Sequence, residues 1–175
     1  MLASATMPSP VGRLTLVASG AGLRAVLWEN DRPGRVPLGS TQDEPDHPVL
    51  AEARRQLDAY FTGALQCFDL PLDAVGTPFQ KRVWAVLEAI PFGRTRSYGA
   101  IATELGDPKA VRAVGAANGR NPISIVVPCH RVIGASGMLT GFGGGLDAMA
   151  ALLAHEGVVS IHDPAVSQAC LFHDL

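Results

Sequence analysis

At 175 residues, 47% hydrophobic and with a formal net charge of -2, the chain can bury a sizeable core, and no apolar run approaches the roughly 20 residues a bilayer span requires. The N-terminus lacks a charged segment leading into an apolar one, which argues against secretion, and three scattered cysteines, Cys67, Cys129 and Cys170, argue against a disulfide framework; the expected location is cytoplasmic. Residues 12–19 and 23–29 are alternating apolar runs around Gly20-Ala21-Gly22 and predict a β-hairpin. Residues 30–47, rich in Pro, Gly and Asp, predict a loop. Leu50, Ala53, Leu57 and Tyr60 or Phe61 then recur at helical spacing up to Gly63, and Phe68, Leu70 and Leu72 alternate as a further strand would. This part carries no chemical signature and reads as an α/β support domain over residues 1–76, with Cys67 packed rather than reactive.

Thr77-Pro78 supplies an N-cap and a first-turn proline for a helix whose stripe is Phe79, Val83, Val86, Leu87 and Ile90, ending at Pro91-Phe92-Gly93. Ser97 caps a short helix through Leu105, Gly106 turns the chain, and Asp107-Pro108 opens a second helix over 109–118. Helix, glycine turn, helix is the layout of a helix-turn-helix, common also in proteins that never touch DNA. Ala110, Ala113, Gly115, Ala116 and Ala117 leave the second helix with little bulk, which suits either close approach to a groove or packing against a core.

Charge is segregated along the chain. Residues 79–141 carry eight Lys and Arg (Lys81, Arg82, Arg94, Arg96, Lys109, Arg112, Arg120, Arg131) against Glu88, Glu104 and Asp107, whereas the flanking stretches are acidic. Such a block reads as a phosphate-facing surface or as a solvated helical face.

The most chemical stretch is Pro128-Cys129-His130-Arg131, which follows the apolar run Ile125-Val126-Val127 where a strand should end. Only a thiolate attacks efficiently, and a cysteine near its reference pKa of about 8.5 needs a base or a nearby cation, which His130 and Arg131 could supply. Glu156, after the helical run 146–154, would complete a nucleophile, base and orienter set.

The run from Asn121-Pro122 through Pro128-Cys129-His130-Arg131 to Gly134, with Ser136-Gly137, resembles the active-site signature of the O6-alkylguanine-DNA alkyltransferases, the methylated-DNA-protein-cysteine methyltransferases. Ser97-Tyr98-Gly99, Pro108-Lys109-Ala110 with Arg112-Ala113-Val114-Gly115, and His155-Glu156-Gly157 are similar to that family in order and spacing, so that the resemblance covers residues 77–157. It implies an RNase H-like α/β N-terminal domain with a small antiparallel sheet. A mainly α domain with a winged helix-turn-helix would follow over 77–160, with a tail at 161–175. The implied reaction is the irreversible, single-turnover transfer of an alkyl group from O6-alkylguanine, with O4-alkylthymine a second candidate lesion, to Cys129. The lesion would be flipped out of duplex DNA, because its alkyl carbon is unreachable within the stack.

The resemblance also assigns parts to residues. Cys129, His130, Glu156, Tyr98 and Asn121 would be catalytic, with Tyr98 protonating the leaving base and Asn121 building the cysteine turn. Arg112 would enter the stack in place of the lost nucleotide, from a helix lying in the minor groove. Lys109, Ala110, Ala113, Gly115, Arg120 and Arg131 would face DNA, and Pro128, Ser136, Phe142 and Gly143 would line the substrate pocket. Two positions depart from the family: Phe142 replaces a usual tyrosine, and Met149 a frequent lysine. The zinc-cluster cysteines of some relatives are missing, and His162, Cys170 and His173 in the tail fit no standard zinc spacing, so neither metal nor cofactor is expected. The expected partner is duplex DNA, bound by a monomer with cooperative binding left open, and no membrane is involved. The rival readings are a non-catalytic binder of alkylated guanine, a cysteine hydrolase that turns over, and a regulator using alkylation as a signal.

Overall fold

The computed structural model describes residues 1–134 and 144–158, and the chain divides into two compact units. Met1–Val75 with Pro122–Val126 form the first; the second holds Gly76–Asn121 and the chain from Val127 onward. Residues 122–126 therefore belong with the first unit, although the chain on either side of them belongs to the second.

In the first unit, β1 (Leu2–Met7), β2 (Leu14–Ala18), β3 (Leu23–Leu27) and β4 (Thr41–Asp43) form one sheet in the order β3-β2-β1-β4. β1 pairs antiparallel with β2 and β2 with β3, but β1 pairs parallel with β4, so the sheet is mixed rather than wholly antiparallel. β1 buries Ala3, Ala5 and Met7 on alternate positions, a period-2 pattern written in residues too small to mark a strand by hydrophobicity. β4 lies inside the expected loop; all three of its residues are exposed, so only its backbone pairing defines it. The expected strand at 68–72 reduces to a single bridge between Leu23 and Leu72, beside Pro71, which has no N–H to give a ladder. Helix α1 (Pro48–Phe61) packs on β1, β2 and β3 and buries Leu50, Ala53, Leu57 and Tyr60; each fully buried leucine contributes about 1.5–3 kcal/mol. Val26 N–H donates to the Pro122 carbonyl at 2.9 Å and Trp28 Nε1–H to Ser124 Oγ at 3.1 Å, so residues 122–124 run along β3.

The second unit opens with α2 (Pro78–Glu88), whose N-terminus carries a reciprocal capping box. Thr77 Oγ1 accepts from Gln80 N, and the Gln80 side chain accepts from Thr77 N. Its buried face is Val83, Trp84, Val86 and Leu87, and Trp84 Nε1–H donates to the Ala117 carbonyl at 2.9 Å. β5 (Arg96–Ser97) leads into α3 (Tyr98–Glu104), capped by Ser97 accepting from Ala100 N. Gly106 then takes φ +88°, a left-handed turn that a side chain would resist, and α4 (Val111–Gly119) follows. α4 starts two residues later than predicted because 107–110 form their own turn, with Ala110 N–H on the Asp107 carbonyl. β6 (Val132–Ile133) pairs parallel with β5, and α5 (Leu146–His155) buries Met149, Leu152 and Leu153. Among the described residues no helix is long and apolar enough to cross a membrane.

Candidate active site

The cysteine sits at the end of a tightly folded stretch, not at the end of a strand. α4 buries Val114, Ala117 and Asn118 on one face, and Asn118 Nδ2 donates to the Cys129 carbonyl at 3.4 Å. Asn121, also buried, donates from Nδ2 to the Val127 carbonyl at 2.8 Å, so one side chain ties together the two ends of the 122–126 segment. Within that segment Ile125 has φ 72°, and Val126 N–H reaches the Ser124 carbonyl at 2.8 Å, a three-residue turn of the rare, strained hand. A buried β-branched residue there costs about 1–3 kcal/mol, which the packing of fully buried Ile123 and Ile125 must outweigh. Pro128, at φ -82° and ψ 68°, makes a second three-residue turn of the common hand, with Cys129 N–H on the Val127 carbonyl at 2.8 Å. These two turns replace the extended strand that the apolar run 125–127 predicted. Cys129, His130 and Arg131 then form one 3-10 turn, all three buried. Cys129 is a buried thiol, whereas Cys67 is disulfide-bonded, which corrects the expectation drawn from three scattered cysteines.

Glu156 caps the C-terminus of α5 and is the centre of the buried cluster. Its Oε2 accepts from His130 Nε2 at 2.7 Å and from Arg131 Nη2 at 3.0 Å; its Oε1 accepts from Arg131 Nε at 2.8 Å and from Gly93 N–H at 3.1 Å. Arg131 Nη1 donates to the Ile90 carbonyl at 2.6 Å, and the Phe92 ring lies 5.8 Å from the guanidinium carbon. Gly93 has φ +78°, and a Cβ there would stand 3.1 Å from the Glu156 carbonyl oxygen, so this approach of the 91–93 turn requires a glycine.

Burial pushes the His130 imidazole below its ordinary value; the Arg131 charge acts the same way, against the opposite pull of Glu156. Burial alone would raise the Glu156 carboxyl, but the His130 hydrogen bond and the neighbouring positive charge hold it well below the usual carboxylate range. At neutral pH the pair is therefore a carboxylate and a neutral imidazole whose proton is on Nε2, donated to Glu156. The other ring nitrogen, Nδ1, is left as a lone pair, buried and with no hydrogen-bond partner among the described residues. A general base next to a nucleophile needs that arrangement.

Of the other expected site residues, Arg112, Lys109, Arg120 and Ala113 are exposed, while Ala110 and Gly115 are partly so. Tyr98 begins α3 half-buried, and a Cβ on Gly115 would come within 3.8 Å of its ring, so the bare backbone of α4 runs beside it. Pro128 is buried. Arg131, expected to face DNA, is 4% exposed with its guanidinium committed to Glu156 and Ile90; buried there, it adds nothing to a phosphate-facing surface. Ser136, Phe142, Gly143 and the 161–175 tail lie outside the described residues. The sequence reading missed Asn118, Ile90 and Gly93. Asn118 carried a signal, a polar residue four after Val114 and next to Ala117 on the buried face; the Ile90 carbonyl and Gly93 amide are backbone groups and carried none.

Both halves of the chain match a known family. The family described as 6-O-methylguanine DNA methyltransferase, ribonuclease-like domain, matches residues 2–74, and the DNA binding domain of the same protein matches 78–158. A methylated-DNA--protein-cysteine methyltransferase of Mycobacterium bovis is 52% identical over 153 residues, covering 86% of this chain and 90% of its own. A Mycobacterium tuberculosis O6-methylguanine methyltransferase crystal structure superposes with a TM-score of 0.80 at 48% identity, covering 93% of this chain and 97% of its own. The M. tuberculosis OGT solved in complex with DNA gives 0.80 at 47%, covering 92% and 95%. With both halves matched in order and 52% of 153 aligned residues identical to a relative matched over 90% of its length, the chain belongs to the 6-O-methylguanine DNA methyltransferase family.

Proposed function

We propose that this protein repairs DNA by moving the alkyl group of O6-alkylguanine in duplex DNA onto Cys129, once per molecule. The observation that carries this reading is the buried His130–Glu156 hydrogen bond of 2.7 Å, which puts the imidazole proton on Nε2 and leaves Nδ1 as an acceptor in the same turn as the thiol. Close relatives named for the reaction, and one solved with DNA, support it.

His130 takes the Cys129 proton through a water, and the thiolate attacks the alkyl carbon in line. The S–C bond forms as the C–O6 bond breaks, the electron pair leaves on the guanine, and Tyr98 protonates the departing base. A thioether has no hydrolytic route back, and no second thiol is assigned to the reaction, so the protein is consumed. Asn121 and Asn118 fix the turn that presents Cys129 through its backbone carbonyls. The exposed Lys109, Arg112 and Arg120 neutralise phosphate, and Arg112 fills the stack where the lesion leaves it, from a helix whose Ala113 and Gly115 let the backbone come close. Pro128, Ser136, Phe142 and Gly143 are the residues we assign to the substrate pocket on the family resemblance. The reaction needs Cys129 reduced, which suits the cytoplasm even though the Cys67 disulfide is unusual there, and we place the protein in that compartment as a monomer on DNA.

Cys129→Ala tests the assignment. Expected is total loss of methyl transfer from an O6-methylguanine duplex, with affinity for that duplex kept within about threefold, a change under 1 kcal/mol. Transfer persisting in the variant would overturn the choice of nucleophile, and a wild type that binds without transferring would make the protein a binder only.

A further inference from the structure

We propose that Arg131 is a positioning residue of the alkyl transfer: by gripping both oxygens of Glu156 it keeps His130 a neutral, Nε2-protonated imidazole, and so keeps Nδ1 a proton acceptor. The inference deepens the function proposed above and rests on it.

Glu156 has two oxygens with about four acceptor directions, and all four are taken: His130 Nε2, Gly93 N–H and two nitrogens of the Arg131 fork. A carboxylate so filled has no room to take the imidazole proton. Arg131 is itself pinned, because Nη1 is on the Ile90 carbonyl at 2.6 Å and the Phe92 ring covers the guanidinium. The fork therefore cannot swing away without breaking bonds to both the 90–93 turn and α5.

Charge balance leads to the same conclusion. With Arg131 cationic, Glu156 anionic and His130 neutral, the buried cluster sums to zero, and a proton added to His130 would place a second cation beside the guanidinium. Without Arg131, protonating His130 would become the way to balance the carboxylate while keeping it ionised, and that turns Nδ1 from acceptor into donor. Among the described residues, the other titratable groups near the cluster include Cys129 in the same turn, Arg94 in the turn after α2, and His155 on α5, which meets the Phe92 ring edge-on. On α2 itself, Lys81, Arg82 and Glu88 are exposed. Arg131 bonds both Glu156 oxygens. A lysine would keep the charge but not the two-pronged grip.

The test compares the full-length wild type with Arg131→Met and Arg131→Lys, using ¹⁵N-histidine NMR of His130 across pH and single-turnover methyl transfer from an O6-methylguanine duplex. In wild type, His130 is expected as the Nε2–H tautomer at pH 7, titrating below its ordinary value of 6.5. In Arg131→Met the His130 midpoint rises by at least about one pH unit, and the acid limb of the transfer rate moves up with it. Arg131→Lys restores most of the midpoint yet transfers more slowly than wild type. A folded Arg131→Met with an unchanged His130 midpoint overturns the proposal. So does a wild-type His130 that is Nδ1-protonated or imidazolium at pH 7, a result that does not depend on either variant folding. Failure of the functional reading is separate, because it would show as no transfer in wild type whatever His130 does.

Discussion

His130 and Arg131 are successive residues of a single 3-10 turn that meet the same carboxylate, and this pairing sets how the folded state depends on pH. The folded His130 binds its proton more weakly than the unfolded chain does, so its contribution to stability is complete above 6.5 and is lost as pH falls toward its depressed folded value. Glu156, also depressed, contributes fully above 4.5 and loses its contribution only at more acid pH. Thermal unfolding followed by circular dichroism should therefore give a midpoint that drops between pH 7.5 and 5.5 in wild type, and drops clearly less in His130→Gln. Equal slopes in the two proteins would contradict the assignment of that window to His130. At this scale the sequence was informative where chemistry forces a residue type: a thiol, an imidazole and an acid in order. It misled at Arg131, because a cation counted along a chain reads as surface charge, and only three dimensions show that its partner is 25 residues away and buried.

Elements were legible where an apolar period and a cap agreed. Thr77 with Gln80, and Ser97 with Ala100, started α2 and α3 where the residue types predicted. β1 escaped because Ala and Ser alternate too quietly, β4 because all its side chains are exposed, and 125–127 looked extended because its residues favour strands while its hydrogen bonds close three-residue turns. In α5, Met149 is 1% exposed and packs with Ile133, Leu153 and the partly buried Val158. The lysine frequent at this position in the family would put an ammonium into that apolar cluster. Met149→Lys should lower the unfolding free energy by on the order of 3 kcal/mol in urea titrations, with the slope against urea unchanged. A neutral result would mean that the cluster opens to solvent.

Across the whole molecule, the chain builds most of one unit, then most of a second, and returns residues 122–126 to the first before reaching the cysteine turn. Periodicity could not show this return, because it lies in the pairing of Val26 with Ile123 and the Trp28–Ser124 hydrogen bond. The basic middle of the chain also changes meaning in three dimensions. Arg131 is neutralised internally, Arg96 pairs with Glu104 and Arg94 is half-buried; Lys81, Arg82, Lys109, Arg112 and Arg120 are the exposed cations of the block. Three of those five lie on α4 or at its ends, where the proposed contact with DNA is made. All of this serves one covalent event, which intact-protein mass spectrometry with peptide mapping reads directly after incubation with an O6-methylguanine duplex. The account predicts a stoichiometric gain of about 14 Da on Cys129, the mass of S–H becoming S–CH3. An unchanged protein mass, with the methyl group still on the DNA, would contradict it.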